Sequence, residues 1–316
     1  MQVTSNTRAF IEAEQYSDFI LMNLHDGLLG EQFYRNITDF QAGDTLHIKT
    51  VGSVTLQEAA EDSPLVYNPI ETGEITMTIT QFKGDAWYVT DTLREDGANI
   101  DMLMTARSTE STRAYQEVVE TDFLATGAEV YAAASDPFAV NGFAHKIVSA
   151  ETNAVFALSQ LISMRLAFDK ANVPAAGRVF IADPVVEATL NGLVTITHDV
   201  TEFGKEVLTG GMASGMRFVM NLYGWDIILS NRLYTAATAN DGTTSVSGDT
   251  FVYNMCMCVL DDQCKPIMHA VRRMPKVEGE RNKDYERDEF VMRARYGFGV
   301  QRMDTMGTII TSATVS

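Results

Sequence analysis

Three thiols and an imidazole come closest to a recognisable chemical pattern in this 316-residue chain: Cys256, Cys258, Cys264 and His269. Cys256-Met257-Cys258 sets two thiols on one face of a strand, and Cys264 and His269 follow closely, so the chemistry on offer is zinc ligation. The spacing matches no zinc motif, however, and buried free cysteines in strands are common; no metal is expected. Three cysteines are also too few for a disulfide framework. The five histidines (His25, His47, His145, His198 and His269) sit in unrelated contexts, with no Gly-x-Ser-x-Gly elbow and no His-Glu-x-x-His pair. Gly204-Lys205 is followed by Glu206 instead of Ser or Thr, and no glycine stands five before Gly204, which excludes a phosphate loop. Carboxylates are abundant enough for a two-acid hydrolase, and that is the enzyme alternative. The sequence assigns no catalytic residue, no cofactor and no metal ligand.

What remains is electrostatic. Acidic residues outnumber Lys and Arg by 42 to 24, for a formal net charge of -18. Phosphate neutralisation needs clustered cations, so tight, sequence-reading nucleic-acid binding is excluded. Glu58, Glu61 and Asp62 cluster in a long connection over 55–73. Loops of that length inside a compact domain are usually functional or ordered by a partner. Arg107 and Arg113 lie in the polar middle of a predicted helix, six residues apart and so near opposite sides of it. These five residues are the candidate subunit-interface set, with the acidic tip expected against a neighbour's helix and one arginine used per contact.

The elements that would position them follow from periodicity. Residues 1–40 read as an apolar arm with little to pack on locally. Alternation predicts strands over 44–50, 75–82 and 86–90, the first two framing the acidic connection. Residues 97–126 read as a long helix with Asp96 or Asn99 as N-cap, and 151–172 as a second, amphipathic helix. Arg178 to Ala182 reads as a strand, and Pro184 opens a helix expected to stop at Asn191-Gly192. The Gly-rich 204–215 is expected as a mobile loop and 236–250 as a surface loop. Strands are expected at 218–220, 224–231 and 251–260, and the charged stretch 272–289 as a solvated excursion. The apolar runs are too short to span a bilayer. The start has no signal-peptide core, so the chain is expected to stay in the compartment where it is made.

Taken in order, these parts resemble the Hong Kong 97-type capsid fold of tailed-phage major capsid proteins. The residues carrying the resemblance are Val173-Pro174 with Gly177-Arg178 and Asp183-Pro184, then Gly224 through Ser230-Asn231, then Arg295-Tyr296-Gly297 through Thr311. The resemblance implies an α+β chain divided into an N-terminal arm (1–43), an extended two-stranded loop (44–92) and a peripheral lobe with a spine helix (93–150). An axial lobe (151–288) and a returning C-terminal strand of the peripheral lobe (289–316) complete it. It further implies hexamers and pentamers of an icosahedral virion capsid, assembled in the host cytoplasm around double-stranded DNA. Scaffold, portal and decoration proteins are the implied further partners; no membrane is involved. An encapsulin-like compartment is the related alternative. One departure stands out: some family members crosslink a loop-tip lysine, and 51–74 holds none, the nearest being Lys49 and Lys83. Covalent crosslinking of that kind is not expected.

Overall fold

The computed structural model describes residues 29, 31–37, 43, 45–52, 56–59, 61, 67, 69–97, 100–133, 138–149, 151–196, 221–242 and 244–314. In chain order the strands are β1 (Arg35–Ile37), β2 (Thr45–Val51), β3 (Thr72–Thr78), β4 (Gln81–Thr90), β5 (Ala139–Val140), β6 (Phe143–Ala144), β7 (Lys146–Val148) and β8 (Arg178–Ala182). They continue with β9 (Asn221–Leu222), β10 (Trp225–Leu229), β11 (Thr235–Asn240), β12 (Ser245–Cys258), β13 (Ile267–Asn282), β14 (Arg287–Val300) and β15 (Met306–Ser312). The helices are α1 (Asp91–Asp96), α2 (Ile100–Ala133), α3 (Leu158–Lys170) and α4 (Pro184–Ile196).

Two sheets organise the described residues. One has the order β1-β13-β14-β4; the other runs β7-β15-β12-β8-β10-β9, with β11 also on β12. The strands β8 and β15 and the second half of β12 are buried throughout. Their apolar runs are continuous where a strand covered on one face would alternate. The C-terminal stretch is shared between the sheets. β14 pairs with β4 and β13, whereas β15 pairs with β12 and β7.

Helix α2 touches both sheets. Its 34 residues span about 50 Å. Toward its start, Ser111 meets Met292 and Tyr115 packs edge-on against Tyr296. Toward its end, Phe123, Leu124 and Tyr131 share a core with Met255, Met257 and Met306. The polar middle is stable because its hydroxyls turn inward to the helix: Thr109 donates to the Thr105 carbonyl and Thr112 to that of Ser108, each at 3.0 Å. The helix runs past its expected end at 126 because Gly127 is where it presses on β12. A Cβ there would stand 2.4 Å from Met255 Cε.

The corner before β8 is held by Arg178, which is 3% exposed. Its guanidinium donates to the carbonyls of Pro174 and Val173 and meets Asp169 at 2.7 Å. Gly177 supplies the left-handed turn (φ 70°). Pro184 begins α4, with Asp183 accepting from the Val185 amide.

Several expectations need correction. Residues 236–242 and 244–250 belong to the β11–β12 hairpin, whose Thr-rich alternation pairs well and whose Ala239 is buried. The charged 272–289 belongs largely to the β13–β14 hairpin, its charges lying on exposed strands. Helix α4 passes Asn191-Gly192 to Ile196, since a glycine lowers helix stability without forbidding it. The stretch 75–82 breaks at Ile79-Thr80 into β3 and β4, and 151–172 divides into a single turn at Thr152–Ala154 and helix α3. The expected N-cap Asn99 and the stretches 204–215 and 218–220 lie outside the described residues.

At Gly177 an added Cβ would also meet the Leu260 backbone at 2.9 Å. Strain and overlap act together there, so Gly177→Ala should lower stability by about 1–3 kcal/mol, read from urea unfolding.

Candidate subunit interface

The β2–β3 ribbon is antiparallel from Thr45↔Thr78 to Val51↔Thr72. A two-stranded ribbon is marginal alone, so its root matters. Met77 and Ile79 are buried with Met268 and Ala270, and Leu46, Ile48 and Ile75 pack against them. Two glycines of β14 admit this root. A Cβ at Gly297 would lie 3.0 Å from Ile79 Cα and Thr78 O, and one at Gly299 2.8 Å from Met77 Cγ.

Beyond the root, burial stops. Leu56, Tyr67 and Ile70 are 93%, 99% and 80% exposed, and Glu58 and Glu61 are exposed beside them. Asp62 lies outside the described residues. The stretch 50–74 contains Glu58, Glu61, Asp62, Glu71 and Glu74 and no Lys or Arg. The connection is thus an acidic tip carrying large apolar side chains that its own chain does not cover. The sequence flagged the acids and missed Leu56, Tyr67 and Ile70; three apolar residues in a connection with no periodic partner were the available signal.

The two arginines expected to receive this tip have partners within the chain. Arg107 meets Asp85 of β4 at 2.8 Å and lies over the Trp87 ring, 5.4 Å from its centroid. Arg113 approaches Glu117 at 3.9 Å, and Glu117 also takes Arg232 at 3.2 Å. Among the described residues, no ion pair joins Glu58 or Glu61 to either arginine.

A second feature was not foreseen: the docking of Leu29 and residues 31–37, at the end of the expected arm, onto their own chain. β1 pairs in parallel with Met268–Ala270, and Phe33 and Tyr34 are buried. Glu120, buried on α2, accepts from the Leu29 amide at 2.9 Å and the Ser230 hydroxyl at 3.0 Å. A polar residue at an apolar stripe position beside Val119 and Phe123 was the signal. Alongside lies a cleft of about 490 Å³ lined by Tyr34, Tyr115, Phe123 and His269. His269 stacks on Phe298, takes the edge of Tyr34 and bonds Asn36 Oδ1 at 3.0 Å. Burial pushes its pKa from 6.5 down to about 4 and raises that of Tyr34 to about 12.

The thiols have a different setting. Cys256 and Cys258 sit in the core with Phe180 and Trp225. Burial holds the Cys256 thiol well above its ordinary pKa and pushes Cys264 up to about 11, which opposes the thiolate a metal needs. Among the described residues no three His, Cys, Asp or Glu side chains are grouped to hold a metal ion, and no helix is long and apolar enough to cross a membrane.

A family model described as phage capsid protein matches residues 72–310. No curated protein matches the chain. Among solved structures, the chain resembles the capsid of the cyanophage P-SCSP1u, with TM-score 0.72 and 18% identity over 98% of this chain and 94% of that one. The mature capsid of bacteriophage PhiM1 gives TM-score 0.72 and 11% identity over 97% and 93%. The capsid of Ralstonia phage GP4 gives 0.67 and 11% over 97% and 96%.

The lowered pKa of His269 carries a pH dependence. Between pH 6.5 and about 4 the unfolded chain binds a proton at this position that the folded chain does not. Its contribution is therefore complete above pH 6.5, falls on acidification by at most about 1.4 kcal/mol per unit, and is gone below the folded pKa. Urea midpoints measured across this window should fall more steeply for the wild type than for His269→Phe.

Proposed function

This chain belongs to the phage capsid protein family, and we propose that it is the major subunit of an icosahedral shell, assembling as hexamers and pentamers around double-stranded DNA. The chain has the α+β Hong Kong 97-type fold. The family and the structural neighbours point to a structural role and not to an enzyme, and self-association follows from the same family. The single observation that carries the proposal within the chain is the ribbon tip: Leu56, Tyr67 and Ile70 stand exposed on a connection rooted by buried residues. Exposed apolar side chains on a projecting element fit an interface between copies.

In this reading, β2–β3 is the extended loop, α2 the spine helix, and the sheet containing β4 and β14 the peripheral lobe. The strands around β8 and β12 form the axial lobe. The acidic half of the contact is Glu58, Glu61 and Asp62 from one subunit, laid on the next. Its basic half, Arg107 and Arg113, is shared with Asp85 and Glu117; each exposed pair contributes little, and repetition around every capsomer makes the sum count. The net charge of -18 suits a wall that repels the DNA it encloses. Portal, scaffold and decoration proteins, and assembly in the host cytoplasm, complete the proposal.

Purified protein should form closed shells or capsomers in negative-stain micrographs. A compact monomer under every salt and crowding condition would sink the reading. Mature shells should also run as monomers in hot, reducing detergent, because 51–74 has no lysine. A ladder of covalent multimers would contradict this.

A further inference from the structure

Strands β12 and β13 belong to different sheets, and the chain crosses between them over 259–266. The crossing is held from both sides. The Val259 amide donates to the Gly177 carbonyl at 2.8 Å, and the Pro266 carbonyl accepts from the Gln301 amide at 2.7 Å. A cysteine stands at each end of the turn between these bonds. Cys258 is the last residue of β12. Cys264 closes the turn, its amide donating to the Asp261 carboxylate at 2.7 Å. Both thiols border one core: Cys258 is buried in it, and Cys264 packs against it half-buried. The Cys264 thiol lies within hydrogen-bonding reach of the Cys258 thiol and of the Asp261 carboxylate. The Cys258 thiol also meets the Ala176 carbonyl at 3.7 Å. Cys256 stands outside this pair. It lies two residues back on the same face of β12, and such neighbours are about 6.8 Å apart with parallel Cα–Cβ bonds, at the limit of what a disulfide spans.

We propose that Cys258 and Cys264 are an oxidisable pair that closes to a disulfide and clips the crossing between the two sheets. The order of events follows from exposure. Cys264 is the thiol an oxidant reaches, and the oxidant is a low-molecular-weight disulfide such as glutathione disulfide. Cys264 loses its proton to solvent and attacks one sulfur of the oxidant. The S–S bond of the oxidant breaks, a mixed disulfide forms on Cys264, and one glutathione thiolate leaves and takes up a proton. Cys258 then gives up its proton and attacks the Cys264 sulfur, and the second glutathione leaves. Two protein thiols are oxidised by two electrons, and one glutathione disulfide is reduced to two glutathiones. The surroundings make the first step slow. Burial first, and then the Asp261 carboxylate, push the Cys264 pKa up to about 11. The nearby cations are engaged elsewhere: Lys265 meets Asp262 at 2.9 Å, Arg302 stabilises the charge of Asp261, and Arg178, opposite Cys258 on β8, turns to Asp169. The pair therefore stays reduced in a reducing cell interior and closes slowly where disulfides persist. The inference goes beyond the shell reading and does not depend on it.

The test incubates the folded protein with glutathione disulfide at mildly alkaline pH, quenches in acid and alkylates the thiols that remain. Digestion before aspartates then cuts at Asp261 and Asp262 and separates Cys258 from Cys264. Mass spectrometry should find the peptide ending at Leu260 joined to the peptide holding Cys264, lighter by two hydrogens and released by a reductant. The rate should rise about tenfold per pH unit below the Cys264 pKa, as the thiolate fraction does. Cys256→Ser should keep the link. Cys264→Ser should lose it. Cys258→Ala should stop at the mixed disulfide of Cys264 with glutathione, which shows that Cys264 still reacts in that variant, and circular dichroism checks that each variant is folded. Three free thiols in the treated wild type overturn the proposal. So does a wild type that stops at the mixed disulfide, since Cys258 is then out of reach. A link through Cys256, or one joining two copies of the chain, is equally fatal.

Discussion

Glu120 is a carboxylate buried in the middle of a helix, and it accepts from two parts of the chain far apart in sequence, Leu29 and Ser230. Burying a carboxylate costs free energy unless its oxygens are bonded, so the two contacts are obligatory partners of each other. Together they bind the incoming N-terminal segment and the loop after β10 to helix α2. One turn earlier Glu117 repeats the connection through Arg232. Tyr131, near the helix end, donates to the Met306 carbonyl at 2.7 Å. The helix is therefore an axle with polar bolts, and both sheets take their orientation from it. The apolar contacts around Phe123 and Leu124 supply the larger burial, but they are non-directional; the bonded groups fix which residues face which.

Close approach is the second theme. Gly127 brings α2 against Met255, Gly297 and Gly299 bring the ribbon root onto β14, and Gly307 brings Met164 of α3 onto β15, where a Cβ would stand 2.5 Å from its sulfur. At each place a side chain would separate two elements that the fold needs in contact. Methionine is the partner at three of the four sites, and its flexible thioether fills an irregular gap without a fixed shape. Asn254 does the comparable work for backbone. Fully buried on β12, it accepts from the Asp183 amide and donates to Ile309 and Thr311, closing the end of β8 against β15.

Much of this was legible in the chain. Arg178 to Ala182 was readable as a strand because five consecutive apolar or clamped residues lie between a glycine turn and Asp183-Pro184. The ribbon was readable because β2 and β3 alternate on either side of an acidic connection. Helix α2 was readable in its two apolar patches; its start at Ile100 follows a separate, unforeseen helix α1 that ends at Asp96, one of the two residues expected as N-cap, and its true end was hidden by Gly127, where tertiary contact outweighs propensity. The exposed stretches 236–250 and 272–289 of the hairpins β11–β12 and β13–β14 were missed as strands for one reason. Their strands are exposed for much of their length, so threonines and charges replace the apolar residues that mark a strand. The acidic half of the candidate contact was visible as composition. The facing cations of the β13–β14 hairpin, such as Lys276 and Arg293, were not, because they come together only through a register with a bulge between Arg273 and Lys276.

That bulge has a physical consequence for where charge accumulates. In a regular ladder, residues two apart on one strand face residues two apart on the other. Between Arg273↔Arg295 and Lys276↔Arg293, however, β13 advances three residues while β14 advances two. The extra residue returns Lys276 to the face that Arg273 occupies; without it, Pro275 would stand opposite Arg293. The bulge therefore converts a sequence with scattered cations into a patch of four on one side of a sheet. An acidic chain holds such a patch at a cost in the isolated subunit, since the cations repel one another across the ladder. A bulge that only bent the strand could have set neutral residues there. Its placement concentrates positive charge on the sheet face that the covering helix leaves open.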